Sequence, residues 1–126
     1  MSITSYRDLT AWQKAFQLGL VVYRESAAFP VDERFGLISQ VRRSAISVPC
    51  NIAEGYGRGS TKDYLRFLRT VRGSLYEVDT QMHFAGELGY IARERLAAVQ
   101  RGVDEVGRLI GGLIRSVERT EHGNLH

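Results

Sequence analysis

Apolar residues recur at alternating spacings of three and four in four long segments of the chain, a pattern typical of helices that bury one face. The segments run from about 8 to 28, from about 32 to 54, from 60 to 89 and from 96 to about 118. No segment alternates apolar and polar residues as a strand would. Four long helices joined by short turns predict an all-α fold, an antiparallel up-and-down four-helix bundle that forms a single domain. We expect a frayed polar tail over about residues 118–126.

The apolar positions of each segment define the face that we expect to be buried. In chain order these positions are Leu9, Trp12, Phe16, Gly19 and Tyr23; then Phe35, Ile38, Val41, Ala45, Val48 and Ile52; then Tyr64, Leu68, Val71, Leu75, Val78, Met82 and Ala85; and finally Leu96, Val99, Val103, Val106, Ile110, Leu113 and Val117. Leu18, Val22 and Leu65 fall outside these faces, and we expect them to contact other subunits.

Proline and glycine interrupt the second segment. Pro49 lies inside its helical pattern, which predicts a kink with the helix resuming through Glu54. Asn51 and Glu54 follow the proline and are predicted to satisfy freed backbone groups and to pair with Arg43 or Arg58. The glycine-rich run that follows, with Gly55 and Gly57, predicts the end of the helix.

The turn after this helix leads into the third helix. Ser60 is the predicted N-cap, with Asp63 as its reciprocal partner. Tyr56 in the turn is suited either to stacking on a base or to packing over the end of the bundle. The turn does not match a G-x-G-x-x-G motif or a P-loop, so it does not predict a nucleotide cofactor site.

Composition restricts the class of protein. The 126 residues are 44% hydrophobic and 25% charged, which suits one soluble domain. The single cysteine, Cys50, excludes an internal disulfide framework and a multi-cysteine zinc site, and it favours a reducing compartment. No apolar stretch approaches the roughly 18 residues of a membrane span, and the first residues lack the apolar core of a signal peptide. We therefore expect a cytoplasmic protein that does not enter a membrane.

Basic residues are concentrated in one quarter of the chain. The formal net charge is +3, whereas residues 42–72 contain seven basic side chains and only two acidic ones. Most of the basic residues are arginine, whose planar guanidinium matches the oxygens of phosphates and carboxylates. The candidate nucleic-acid contacts are Arg42, Arg43, Arg58, Lys62, Arg66, Arg69 and Arg72.

Five of these side chains form one stripe, which consists of Arg58, Lys62, Arg66, Arg69 and Arg72. Their spacings of four, four, three and three place them within about 120° on the third helix. One interpretation is a solvated helix face. The stripe lies near the helix N-terminus, however, where the macrodipole disfavours cations, and this favours an external partner. That partner could be a phosphate backbone or the acidic end of a neighbouring subunit.

The sequence offers little for catalysis. Asp79 and His83 are the nearest approach to a metal-ligand pair, and no Glu-x-x-His pair of a di-iron bundle is present. Glu54 has no catalytic partner. Arg115 and His122 loosely resemble the Arg…His pair of small helical-bundle ribonucleases. We expect no catalytic residues, no metal and no cofactor, with a ribonuclease as a remote alternative.

Several motifs in order carry a family resemblance over roughly residues 6 to 115. They are Asp8-Leu-Thr-Ala-Trp-Gln-Lys-Ala15, Phe29-Pro30, Glu33-Arg-Phe-Gly-Leu37, Ser39-Gln-Val-Arg-Arg-Ser-Ala45, Ser47-Val-Pro-Cys-Asn-Ile-Ala-Glu-Gly-Tyr-Gly-Arg58, Gly73-Ser-Leu75 and Leu88-Gly-Tyr-Ile91. The chain resembles the bacterial four-helix-bundle family of 23S rRNA intervening-sequence proteins. That family is similar to the accessory variability protein of diversity-generating retroelements, a ring of five bundles that engages nucleic acid and a reverse transcriptase.

The resemblance implies a homo-oligomer, with a pentamer expected, and it implies RNA or DNA as a partner, with a reverse transcriptase as a candidate protein partner. It supplies no catalytic residues. The leading hypothesis is a non-enzymatic, ring-forming bundle that binds the nucleic-acid backbone through its arginine-rich face. The alternative is an oligomeric adaptor or scaffold whose arginines lie at subunit interfaces, without affinity for nucleic acid.

Overall fold

The protein is built from four long helices. The structure, a computed structural model, describes the backbone of residues 2–123 and the side chains of residues 2–120. The helices are α1 (Thr10–Ser26), α2 (Leu37–Tyr56), α3 (Thr61–Glu87) and α4 (Arg93–Gly123), with short 3-10 turns at Tyr6–Asp8 and Val31–Glu33. No strand occurs in residues 2–123, so the predicted all-α class is confirmed. Helix α4 runs past Glu118, where we expected the ordered helix to end, and residues 124–126 of the predicted tail lie outside the described residues.

The helices form a bundle in which each one packs against two neighbours. Helix α1 packs on α2 and α4, and α3 packs on α2 and α4, whereas no Cα atoms of the diagonal pairs lie within 8 Å of one another in the described part of the chain. Contacts across α3 and α4 run antiparallel: Arg69 meets Glu118 at one end, and His83 meets Gln100 at the other. The predicted four-helix bundle is therefore confirmed.

The buried faces of α3 and α4 agree with the sequence prediction. The core residues of α3 include Leu68, Val71, Leu75, Val78 and Met82, all 2% exposed or less. Those of α4 include Val99, Val106 and Ile110. Both helices carry one apolar face and one polar face, so the 3.6-residue period identifies the buried side directly.

The buried face of α1 agrees only in part with the predicted one: Gly19 is buried and Leu9 and Trp12 pack against the core, but other residues form most of that face. Its core residues are Ala11, Ala15, Leu18 and Val22, whereas Phe16 is 46% exposed. Helix α1 is apolar on two sides, and the close approach of its neighbours selects the side with small side chains. Leu18, Val22 and Leu65 are 5%, 0% and 4% exposed, so the prediction that they contact other subunits is wrong.

The start of α2 also differs from the prediction. Gly36 is the N-cap, and the Glu33 carboxylate accepts hydrogen bonds from the Leu37 N–H (3.1 Å) and from the Tyr90 hydroxyl (2.9 Å). The second of these bonds raises the pKa of Tyr90. Because the helix begins only after this cap, Phe35 lies outside it and is 90% exposed, so its predicted core position is wrong.

Pro49 is buried inside α2, and the helix continues beyond it to Tyr56. Its missing N–H leaves the Ala45 carbonyl without the usual helical donor. Gly19 of α1 lies beside this carbonyl, since a Cβ at that position would be 3.9 Å from the oxygen. Helices α1 and α2 therefore approach each other closely at the Ala45 carbonyl. The kink at Pro49 stays a prediction.

Candidate nucleic-acid interface

The turn between α2 and α3 begins the basic surface. The Gly57 N–H donates to the Ala53 carbonyl and closes α2, and its φ of −78° is ordinary for any residue. Ser60 caps α3 by accepting a hydrogen bond from the Asp63 N–H at 3.1 Å, as predicted. The reciprocal bond from the Ser60 N–H to the Asp63 carboxylate is not made, and that carboxylate lies 3.6 Å from Arg66. The N-terminus of α3 therefore follows the turn directly.

Gly55 sets how closely α2 and α3 approach. A Cβ on this residue would lie 2.7 Å from the Phe67 Cβ and 3.1 Å from the Tyr64 ring. Tyr56 packs edge-on against Tyr64, so it lies over the end of the bundle, the second of the two placements predicted for it. Burial raises the pKa of Tyr64 to about 12, with a smaller contribution from Tyr56, and its buried hydroxyl has no hydrogen-bond partner among the described residues.

Phe67 brings the first arginines of the stripe together. The guanidinium carbons of Arg58 and Arg66 lie 5.0 and 4.6 Å from the centre of its ring. Arg58 also donates to Glu54, with 2.8 Å between Nη2 and Oε1, so the predicted pairing of Glu54 with Arg58 is confirmed. Loop and helix therefore present one continuous cationic surface at this end of the bundle.

Asn51 has a structural role between α2 and α3. Its amide donates to the Ser47 carbonyl at 2.8 Å and to the Ser47 hydroxyl at 2.9 Å, and that hydroxyl lies 2.8 Å from the Ser74 hydroxyl of α3. The Ser47 carbonyl is not the one that Pro49 frees, so the prediction that Asn51 satisfies a freed backbone group is wrong.

All five side chains of the stripe are exposed. Three of them form ion pairs: Arg58 with Glu54, Arg66 with Asp63, and Arg69 with Glu118 at 3.3 Å. Lys62 and Arg72 have no ion-pair partner in the described part of the chain. Exposed pairs of this kind contribute only about 0.2–1 kcal/mol each, so a phosphate can replace the carboxylate at small cost.

Arg42 and Arg43 lie apart from the stripe. Arg42 donates to the Ser26 hydroxyl at 2.8 Å and to the Tyr23 carbonyl at 3.1 Å, with its guanidinium 4.6 Å from the Tyr23 ring centre. It therefore holds the last turn of α1. Arg43 is exposed, and among the described residues its side chain hydrogen-bonds only to Ser39. The Ser47–Ser74 contact places it beside the second half of α3, away from the stripe.

The stripe leads into a groove between α3 and α4 that the sequence analysis missed. The groove has a volume of about 520 Å³, and its polar lining comes from Arg72, Tyr76 and Asp79 on α3 and from Asp104, Arg108 and Arg115 on α4. Gly107 and Gly111 complete the α4 wall. The glycines inside α4 are the sequence signal for this groove. A glycine inside a helix lowers stability by about 1 kcal/mol relative to alanine, so its presence there indicates that open space is required.

A second groove lies between α1 and α2 and is almost entirely apolar. It has a volume of about 370 Å³ and is lined by residues that include Trp12, Phe16, Leu20 and Ile46. Phe16, Leu20 and Ile46 are between 41% and 46% exposed, and Trp12 stacks on Phe16 at 5.3 Å. Part of the predicted buried face of α1 therefore forms an exposed apolar surface.

The remaining candidates for chemistry are dispersed. His83 lies 4.0 Å from Asp79 and 2.8 Å from the Gln100 amide, and the described residues contain no group of three or more side chains suited to a metal. Arg115 lies in the α3–α4 groove, whereas the side chain of His122, its predicted ribonuclease partner, lies outside the described residues. No helix within the described range is long and apolar enough to cross a membrane.

Comparisons with known proteins give the family. No curated protein matches the chain. A solved structure, described as a protein with unknown function from the S23 ribosomal protein family of Bacteroides thetaiotaomicron, matches with a TM-score of 0.75 at 19% identity, covering 83% of this chain and 98% of its own. That likeness shows the same fold. The family model for the 23S rRNA-intervening sequence protein matches residues 7–112. The chain therefore belongs to the 23S rRNA-intervening sequence protein family.

Proposed function

We propose that this protein is a non-enzymatic nucleic-acid-binding protein that contacts the backbone of RNA or DNA through the basic face of α3. The observation that carries the proposal is the line of exposed side chains from the α2–α3 turn to the α3–α4 groove. Its members are Arg58, Lys62, Arg66, Arg69 and Arg72. Contacts of this kind are independent of sequence and sensitive to salt.

The length of the line suits a phosphate backbone. Lys62 and Arg72 are separated by about 15 Å along the helix axis at 1.5 Å per residue. Successive phosphates of one strand advance by about 3.4 Å along a duplex, so several of them fall within this length. The intramolecular ion pairs of Arg58, Arg66 and Arg69 are exposed and weak, and they exchange readily for phosphate contacts.

The subunit contact of the proposed homo-oligomer, expected to be a pentamer, is assigned to the apolar groove of α1 and α2. Phe16, Leu20 and Ile46 are large, exposed and free of charge, which is typical of a surface that another subunit covers. Helix α3 lies diagonally across the bundle from α1. A contact through α1 therefore leaves the basic face of α3 directed outward.

The alternative is an adaptor whose arginines lie at the subunit interface. It is favoured by one observation: Glu54, Asp63 and Glu118 already bind arginines of the stripe, so carboxylates of a neighbouring subunit could do the same. An assembly held by such charges should dissociate in 1 M salt, whereas one held by the apolar groove should persist.

The test is nucleic-acid binding by the purified protein across a salt series, with light scattering on the same samples. We expect binding that weakens steeply with salt while the oligomer keeps its mass. An oligomer that shows no binding at low salt would overturn the proposal and favour the adaptor.

A further inference from the structure

The α3–α4 groove is basic at one end and acidic at the other. If the Arg69–Glu118 pair sets the antiparallel register, Arg72 lies level with Arg115, and the next positions along the groove are Tyr76 and then Asp79. Asp104 lines the acidic end together with Asp79, and Arg108 adds a cation to that end. A phosphate is favoured beside the two arginines and is disfavoured near the two carboxylates.

Tyr76 stands between these two ends and is 66% exposed. The α4 wall leaves space beside it, because a Cβ added at Gly107 would meet no atom within 4 Å and one at Gly111 would meet only the Arg115 guanidinium, at 3.4 Å. The volume of about 520 Å³ lies within the range of ordinary small-ligand sites, about 300–1,000 Å³. A planar group therefore has room to lie against the Tyr76 ring.

We propose that this groove binds an unpaired base of a single-stranded nucleic acid, stacked on Tyr76, with the adjacent phosphate held by Arg72 and Arg115. The carboxylates of Asp79 and Asp104 would accept hydrogen bonds from N–H groups of the base edge, such as the N3–H of thymine. This inference rests on the proposed function and adds the class of nucleic acid: the stripe binds any backbone, and the groove adds a preference for single strands. A paired base inside a duplex cannot present its face to the ring.

The test compares two labelled single-stranded 12-mers with the same number of phosphates, oligo(dT) and an abasic oligomer, at one low salt concentration. We expect the wild-type protein to bind oligo(dT) at least about fivefold more tightly, since each base stacked on an aromatic ring contributes at least that factor. Tyr76→Leu should remove this preference, and Tyr76→Phe should keep it. Phe84→Leu is the matched control, because Phe84 is an exposed aromatic residue on the same helix, 61% exposed and outside the groove.

The outcomes separate this inference from the proposed function. Equal affinity of the wild type for both 12-mers, or a preference that survives Tyr76→Leu, would overturn the base site and leave backbone binding intact. Binding to neither 12-mer would overturn both proposals. A 12-base-pair duplex gives a further check, because Tyr76→Leu should leave the affinity for it unchanged.

Discussion

Arg69 of α3 and Glu118 of α4 form an ion pair with 3.3 Å between Nη2 and Oε2, and both side chains are substantially exposed. The pair fixes the second half of α4 beside the first half of α3. It also places a carboxylate within the basic face. In the surface that we propose for nucleic acid, Glu118 therefore competes with phosphate for Arg69.

Replacing this competitor should strengthen binding. We expect Glu118→Gln to free Arg69 and to raise the affinity for a phosphate backbone about threefold to fivefold at low salt, since an exposed pair contributes up to about 1 kcal/mol. Glu87→Gln is the control, because it removes the same charge from the opposite end of α3. Titrations of one oligonucleotide against both variants measure the effect. Weaker binding by Glu118→Gln than by the control would contradict the proposed face.

The close packing at Gly55 should make this glycine irreplaceable. Alanine there would place its Cβ 2.7 Å from the Phe67 Cβ, which forces α2 and α3 apart. Overpacking of this kind costs about 1–3 kcal/mol of folding free energy. Gly73→Ala has nothing within 4 Å and should instead stabilise α3 by about 0.5–1 kcal/mol. Urea unfolding of the two variants should give changes of opposite sign, and equal changes would disprove the packing argument.

Tyr64 should limit stability at alkaline pH. Its pKa is raised to about 12 in the folded protein from an ordinary value of 10.0, so folding favours the neutral phenol. This contribution to stability is complete below pH 10 and is lost as the pH rises from 10 to 12. For a half-buried ring we expect the loss to be about 1 kcal/mol.

Tyr64→Phe tests this dependence directly. The substitution removes a buried hydroxyl that has no partner among the described residues, so stability at pH 7 should stay equal or rise by up to about 1 kcal/mol. Thermal unfolding from pH 8 to pH 11 should show a smaller decline than in the wild type. A residual decline is expected from Tyr90, whose pKa the bond to Glu33 also raises. An unchanged decline would exclude Tyr64 as its source.

Arg42 should prove structural and not functional. Alanine at this position removes two hydrogen bonds and the contact with the Tyr23 ring, so we expect a loss of about 1–3 kcal/mol of stability. The neighbouring Arg43→Ala should change stability by less than about 0.5 kcal/mol, because Arg43 is exposed. Chemical unfolding of the Arg42→Ala and Arg43→Ala variants measures the two changes in stability. An Arg42→Ala variant as stable as Arg43→Ala would show that the bonds contribute nothing.

The sequence predicts the faces of α3 and α4 well because each has a single apolar side. It fails for α1 because Ala11 and Ala15 are weak apolar signals next to Trp12 and Phe16, although small side chains suit the closest contacts between helices. Which of two apolar sides faces inward depends on the neighbouring helices. The sequence of α1 alone does not indicate where the neighbouring helices lie.

The basic stripe could also be predicted, since its spacing alone places the side chains on one side of α3. The macrodipole of α3 alone disfavours these cations. In the bundle, the C-terminus of α2 adjoins the N-terminus of α3, and its negative end offsets part of the cost of the cations. The sequence predicts Arg42 and Arg43 as further contacts because they lie in the same basic quarter of the chain, whereas the structure places Arg42 against α1.

The most direct test of the central claim is the salt dependence of nucleic-acid binding by the Arg66→Ala and Arg69→Ala double variant. Its control is the Arg24→Ala and Arg34→Ala double variant, which removes the same charge from exposed positions outside the stripe. If the stripe holds phosphates, the slope of log K against log salt should flatten by about one to two units in the first variant and should not change in the second. Equal slopes in the two variants would contradict a nucleic-acid interface on α3.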